Sequence, residues 1–253
     1  MDLNKYILFI GLLIGLVACQ QKEHKVTYQE GSNILIDATT ATDSGMMEKV
    51  APYKADIDAK MNTIIGRSKK ELLADKPESP LSNFVSDVIQ HQAQAYLIQH
   101  KMDSIPVVSL MNIKGLRAPI PLGDITIRNI FEVMPFENEI VLLALPGDSI
   151  LSLFKYLGTS EGDGIAGASV VYDGTKLREV LLDNKAIDPK KNYFLATSDY
   201  LANGGDHYHM IMNASFKRKI NMKLREAIIE EIQDLSDKDL DVDANVEGRI
   251  IFN

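Results

Sequence analysis

One cysteine, Cys19, and no tryptophan occur in the 253 residues. A lone thiol forbids an internal disulfide and leaves no thiolate set to hold a metal in the folded body. Positive charge is in deficit: 27 Lys and Arg face 35 Asp and Glu, a formal net charge of −8. Duplex nucleic-acid binding rests on basic surface, so nucleic acid is not an expected partner. Any anionic ligand must be held by a local cluster of donors. Histidine is scarce, five in all, and no Walker loop, dinucleotide fingerprint or nucleophile elbow occurs. Long apolar runs are lacking too. Tyr6 to Val17, broken only by Gly11 and Gly15, falls short of the ~20 residues that a spanning helix needs.

That run follows Lys5 and ends in Leu16-Val17-Ala18-Cys19, so residues 1–18 read as a signal peptide. The ending looks like a bacterial lipobox. The resemblance implies cleavage before Cys19, lipid on Cys19, and a chain anchored to a membrane of the cell envelope, in the periplasm or at the outer membrane. A plain secretory signal with an incidental cysteine is the alternative. Residues 19–45 are polar apart from Ile34-Leu35-Ile36 and read as a tether with room for one strand. Residues 46–253 are expected to form one domain.

Met46, Met47, Val50, Tyr53, Ile57, Met61 and Ile64 follow helical spacing, with Pro52 placed in a first turn or at a kink. Ser79-Pro80 suits a cap and first helical position, opening a second amphipathic helix through Leu97. Strands are expected at Ile105–Met111, Glu139–Leu145, Ser169–Tyr172, Val180–Leu182, Tyr193–Thr197 and Ile250–Phe252. Helices are expected at Ile150–Leu157 and Met222–Leu235, with an acidic loop at Ser236–Asn245. Helices and strands mixed without a regular βαβ repeat argue for the α+β class.

Three loops between them supply glycine, charge and aromatic rings. They are Asn112-Ile113-Lys114-Gly115-Leu116-Arg117, Met134-Pro135-Phe136, and Tyr200-Leu201-Ala202-Asn203-Gly204-Gly205-Asp206. With Glu78-Ser79-Pro80-Leu81-Ser82-Asn83-Phe84, Gly123-Asp124-Ile125-Thr126 and Val170-Val171-Tyr172-Asp173, they resemble the C-terminal domain of 5′-nucleotidases from about Met46 to Phe252. The resemblance implies a layered α/β/β/α domain that binds a nucleotide or nucleoside. It places the base between Phe136 and Tyr200, the sugar hydroxyls on Asp206, the base edge on Asn112 and phosphate on Arg117. Gly115, Asn203, Gly204 and Gly205 are carried along as substrate-binding loop residues. The blander readings are a turn at Asn203–Asp206, a packed Phe136, a capping Asn112 and a surface Arg117.

Two departures bear on phosphate. Pro77 stands where the family often has arginine, and Lys114 replaces a loop glycine, either restoring a charge or filling the pocket. No catalytic residue and no metal ligand are assigned. The Asp-Xaa-His, Gly-Asn-His and Gly-His-Xaa-His markers of the family's two-metal domain do not occur, so no cofactor is expected in this chain and divalent metals only in a partner. His207 and His209 would share one face of a strand, and His91 and His100 have no carboxylate partner in view. Three functions stay open: specificity subunit beside a separate metallophosphoesterase chain, non-catalytic envelope receptor for nucleotides or nucleosides, and a relic without a pocket.

Overall fold

The computed structural model describes Tyr28, residues 30–102 and residues 105–253. The expected signal segment, residues 1–18, and Cys19 lie outside the described residues. The chain divides into residues 1–49 and Val50–Asn253. In the first unit the described residues before Ser44 form no strand, Ile34–Ile36 included; Asp37 accepts from the Thr39 amide in a local turn. Helix α1, Ser44–Met61, starts where the Asp43 carboxylate accepts from the Met46 amide at 3.0 Å. It runs through Pro52 rather than opening on it, and none of its residues is buried.

The expected first helix does not reach Ile64. It stops at Met61, and Ile64–Ser68 forms strand β1, antiparallel to β3, Gly123–Thr126. Backbone pairing with a distant segment overrides a helical period here, a contest that spacing alone does not reveal. Helix α2, Pro80–Gln99, begins as the residues indicate. Ser79 accepts from the Ser82 amide at 3.2 Å, Ser82 accepts from the Ser79 amide at 3.0 Å, and Pro80 takes a position whose N–H is not needed.

Beyond it come β2, Val107–Met111; α3, Ile127–Val133; β4, Glu139–Pro146; and α4, Gly147–Thr159. Then follow β5, Gly164–Ala166; β6, Ala168–Asp173; β7, Lys176–Leu182; β8, Lys185–Ala186; and β9, Asn192–Ser198. A single-turn α5, Asp199–Ala202, precedes β10, Phe216–Lys223, α6, Leu224–Asp237, and β11, Ile250–Phe252. The expected start of the last helix at Met222 is a correction: Phe216–Lys223 pairs with β4 as an edge strand, and the helix begins after it.

The class is α+β, with β10-β4-β9-β2-β5, β11-β6-β7-β8 and β1-β3 as the sheets. Within the five-stranded sheet β2 and β9 are parallel, whereas β4 runs antiparallel to β9. One face of that sheet packs on α2 and α6 through Leu142, Phe194, Ala196, Ile89 and Ile228. The other face joins α4 and the four-stranded sheet through Leu143, Leu195, Phe154 and Tyr172. Central strands buried on both faces explain why Glu139–Leu145 reads as a continuous apolar run.

Glu78 is buried and accepts from Asn83 Nδ2 at 2.6 Å, the Glu247 amide at 2.7 Å and the Ile250 amide at 3.2 Å. Arg249 grips Asp87 with both terminal nitrogens, at 2.8 and 2.9 Å. Together they pin the C-terminal strand to the start of α2. Replacing Glu78 with Ala strands three donors and should lower stability by about 3 kcal/mol, read as a urea midpoint shift; a loss under about 1 kcal/mol would contradict this role.

Candidate functional site

The sheet topology decides where the three loops go. Parallel β2 and β9 both release the chain at the same edge, the first into Asn112 and the second into Asp199 and Tyr200. Antiparallel β4 enters at that edge, so the residues before Glu139 arrive there as well. The result is a cavity of about 360 Å³ lined by Asn112, Lys114, Gly115, Arg117, Phe136, Asn138, Tyr200 and Asp206. That size falls within the usual span for small-molecule sites. Phe136 and Tyr200 are 40% and 46% exposed, too open for core residues and apolar enough to hold a ring.

Asp206 is the hub. Its backbone is left-handed, φ 48° and ψ 32°, a conformation that aspartate tolerates better than most residues. Tyr200 donates its hydroxyl to Asp206 Oδ1 at 2.9 Å and accepts from the Asp206 amide at 3.3 Å. Asn112 Nδ2 donates to Oδ2 at 2.7 Å, and Tyr156 donates to the Asp206 carbonyl at 2.8 Å. The bond to the carboxylate raises the Tyr200 phenol above its ordinary value. Burial, then the charges of Asp163 and Asp206, raises Tyr156.

Gly204 and Gly205 serve different needs. Gly204 is left-handed, φ 87°. At Gly205 an added Cβ would sit 2.5 Å from the Tyr200 ring, so the missing side chain is the room into which that ring fits. These two and Asn203 do not line the main cavity; they border an adjoining concavity that shares Tyr200 and Asn138. Asn203 instead accepts from Lys217 Nζ at 2.6 Å. Asn203, Gly204 and Gly205, expected as substrate-binding loop residues, thus line the concavity beside the main cavity, with Gly205 packed against the Tyr200 ring.

Lys114 lies exposed in the 3-10 turn Ile113–Gly115 and leaves the cavity open. Arg117 donates to the Lys114 carbonyl at 3.2 Å, and its guanidinium sits 5.6 Å from the Phe136 ring centroid. Lys76 bonds the Ser160 carbonyl, so it does not replace the cation missing at Pro77.

Several supporting residues carry no sequence signal. Buried Arg225 donates to the Met134 carbonyl at 3.2 Å, pairs with Glu137 and lies 4.0 Å from the Phe131 ring centroid, bracing the turn that presents Phe136. Buried Asp163 accepts from the Ile113 amide at 2.9 Å and the Tyr208 hydroxyl at 2.6 Å, tying the Asn112 loop to the Asp206 loop from behind. Their partners come from distant segments, so neighbours in the chain give no hint of them. A wider concavity of about 740 Å³ borders β1 and α6, but carboxylates line it and no aromatic ring does.

The histidine expectations change. His207 and His209 stand on separate 3-10 turns with ring centroids 5.9 Å apart, not on a strand. His91 does have a carboxylate partner: Glu231 of α6 lies 3.4 Å away and raises the imidazole above its ordinary value. Among the described residues no group of three or more His, Cys, Asp and Glu could hold a metal.

The model of the family described as 5′-nucleotidase, C-terminal domain, matches residues 64–213. An apyrase of Tabanus yao is 26% identical over 79% of this chain and 40% of its own length. The protein UshA of Escherichia coli is 24% identical over 75% of this chain and 34% of its own. A 5′-nucleotidase precursor from Thermus thermophilus superposes with a TM-score of 0.68 at 23% identity, covering 81% of this chain and 42% of that one. A 5′-nucleotidase from Staphylococcus aureus described as putative gives 0.63 at 16%, covering 87% and 46%. The chain thus spans less than half the length of each of these proteins.

Burial raises Asp163 above the usual carboxylate range, opposed by its two donors. Protonation therefore favours the folded state, a contribution full below the ordinary value and lost as pH rises through the raised one. The urea midpoint of the wild type relative to Asp163→Asn should fall over that rise. A pH-independent gap would show that the acid's burial has no such effect.

Proposed function

The chain belongs to the 5′-nucleotidase C-terminal domain family, and from that membership we propose that its pocket binds the base and sugar of a nucleotide or nucleoside. Phe136 and Tyr200 flank the base, Asp206 takes the sugar hydroxyls, Asn112 meets the base edge, and Arg117 with Lys114 forms the cationic rim for phosphate. One observation carries the reading: two half-exposed rings and a prepositioned carboxylate line the same cavity although Phe136 stands on a different loop from Tyr200 and Asp206. Stacking between rings tolerates different bases, and a planar guanidinium suits phosphate oxygens.

The chain would act as the specificity domain of a 5′-nucleotidase-type hydrolase in nucleotide catabolism. A separate metallophosphoesterase chain would hold the divalent metals and supply the hydrolytic chemistry. Helix α1 supports that partnership. It leaves Val50, Tyr53 and Ile57 exposed, an apolar stripe that a partner could cover. Lipid on Cys19 would hold the assembly at the cell envelope.

Titration calorimetry with AMP, UMP, adenosine and UDP-glucose should show binding to at least one. Phe136→Ala should weaken it about 10-fold, as expected for losing one stacked face. Asp206→Ala should weaken it at least as much. Binding unaffected by both substitutions would remove this pocket from consideration, and no binding to any of the four would remove the nucleotide reading. Mixing with a metallophosphoesterase chain separates the two roles. Faster nucleotide hydrolysis than the metal chain achieves alone supports a specificity subunit, whereas binding without any gain in rate leaves a non-catalytic receptor.

A further inference from the structure

The carboxylate of Asp206 is already bonded on both oxygens within the protein. Tyr200 donates to Oδ1 at 2.9 Å and Asn112 to Oδ2 at 2.7 Å. The tyrosine hydroxyl also accepts from the Asp206 amide at 3.3 Å, so one oxygen atom clasps both the backbone and the side chain of a left-handed residue. Phenylalanine at this position could supply the ring but neither bond.

Sites discriminate strongly against a ligand that lacks a hydroxyl when its absence leaves their own polar groups unpaired. Asp206 escapes that penalty. An ionised carboxylate offers about four acceptor positions, two of which Tyr200 and Asn112 fill. A sugar hydroxyl can add a bond at a remaining position, but a sugar without it leaves neither oxygen orphaned.

Resting on the nucleoside reading above, we propose that the Tyr200 hydroxyl is a specificity-determining and positioning group that makes the pocket tolerant of missing sugar hydroxyls. The ligand class then extends from ribonucleosides to 2′- and 3′-deoxynucleosides. Two separable roles follow for one side chain. The ring face of Tyr200 contributes affinity for the base. Its hydroxyl keeps Asp206 paired and so levels the preference among sugars.

The test is calorimetry of the full chain and of Tyr200→Phe with adenosine, 2′-deoxyadenosine and 3′-deoxyadenosine. Tyr200 is exposed and the substitution keeps its ring, so the fold should survive; an unchanged thermal midpoint checks this. In the wild type the three dissociation constants should lie within about 3-fold. In Tyr200→Phe, Oδ1 loses its partner, and at least one deoxynucleoside should bind about 10-fold more weakly than adenosine, the scale of one hydrogen bond to a charged group. Equal ratios in wild type and variant, or a wild type that already rejects both deoxynucleosides, would overturn the inference and leave the nucleoside reading standing. No binding of any nucleoside to the wild type would defeat that reading and this one with it. A second variant, Tyr200→Leu, removes ring and hydroxyl together. It should weaken all three ligands and also widen the spread; a uniform loss without widening would assign Tyr200 to stacking alone.

Discussion

Parallel pairing of β2 with β9 is the constraint from which the site follows. Val107 opposite Phe194 and Ser109 opposite Ala196 set two strands side by side pointing the same way. Their ends therefore deliver Asn112 and the Tyr200–Asp206 loop to one edge of the sheet, where an Asn112–Asp206 bond spans 94 positions of sequence. The register of β4 on β9, Ile140 opposite Ser198, brings Phe136 to the same edge from the opposite direction. Ladders of this kind hold loops in place only because the strands are buried on both faces. Each fully buried Leu or Ile of β4 contributes roughly 1.5–3 kcal/mol to keeping them there. Surface pairs such as Arg67–Asp124 contribute about 0–1 kcal/mol and could be lost without moving the site.

On that scaffold the polar network gives the pocket its chemistry. A non-glycine residue in the left-handed region is disfavoured by roughly 1 kcal/mol, and Asp206 is held there by bonds from Tyr200, Asn112 and Tyr156. Its carboxylate consequently faces the cavity before any ligand arrives. Asp163 and Arg225 work at one remove, fixing the backbone of the Asn112 loop and of the Phe136 turn. A rigid support of this sort lowers the ordering cost that a ligand would otherwise meet.

The sequence was most legible where the signal is local. The Ser79-Pro80 start of α2, the buried run of β4 and the strand before Asn112 all follow from caps and from apolar spacing. The α+β class follows from their mixture. The loops stood out by their resemblance to a family pattern, which implied the roles of Asn112, Phe136, Tyr200 and Asp206, and these side chains share one cavity. Local signals failed where a remote partner outweighed them. Ile64 continues a helical period yet pairs with Thr126, and Met222 belongs to a strand because β4 offers an edge.

Residues in a row thus disclosed which side chains are available and which segments must be buried, since both depend on chemistry within a few positions. They did not disclose that His91 meets Glu231, that Gly205 leaves room for a tyrosine ring, or that Tyr200 and Asn112 already bond the acid expected to read a sugar. Those facts depend on distances between segments far apart in the chain. Such distances exist only once strand pairing and packing have set the loops against one another.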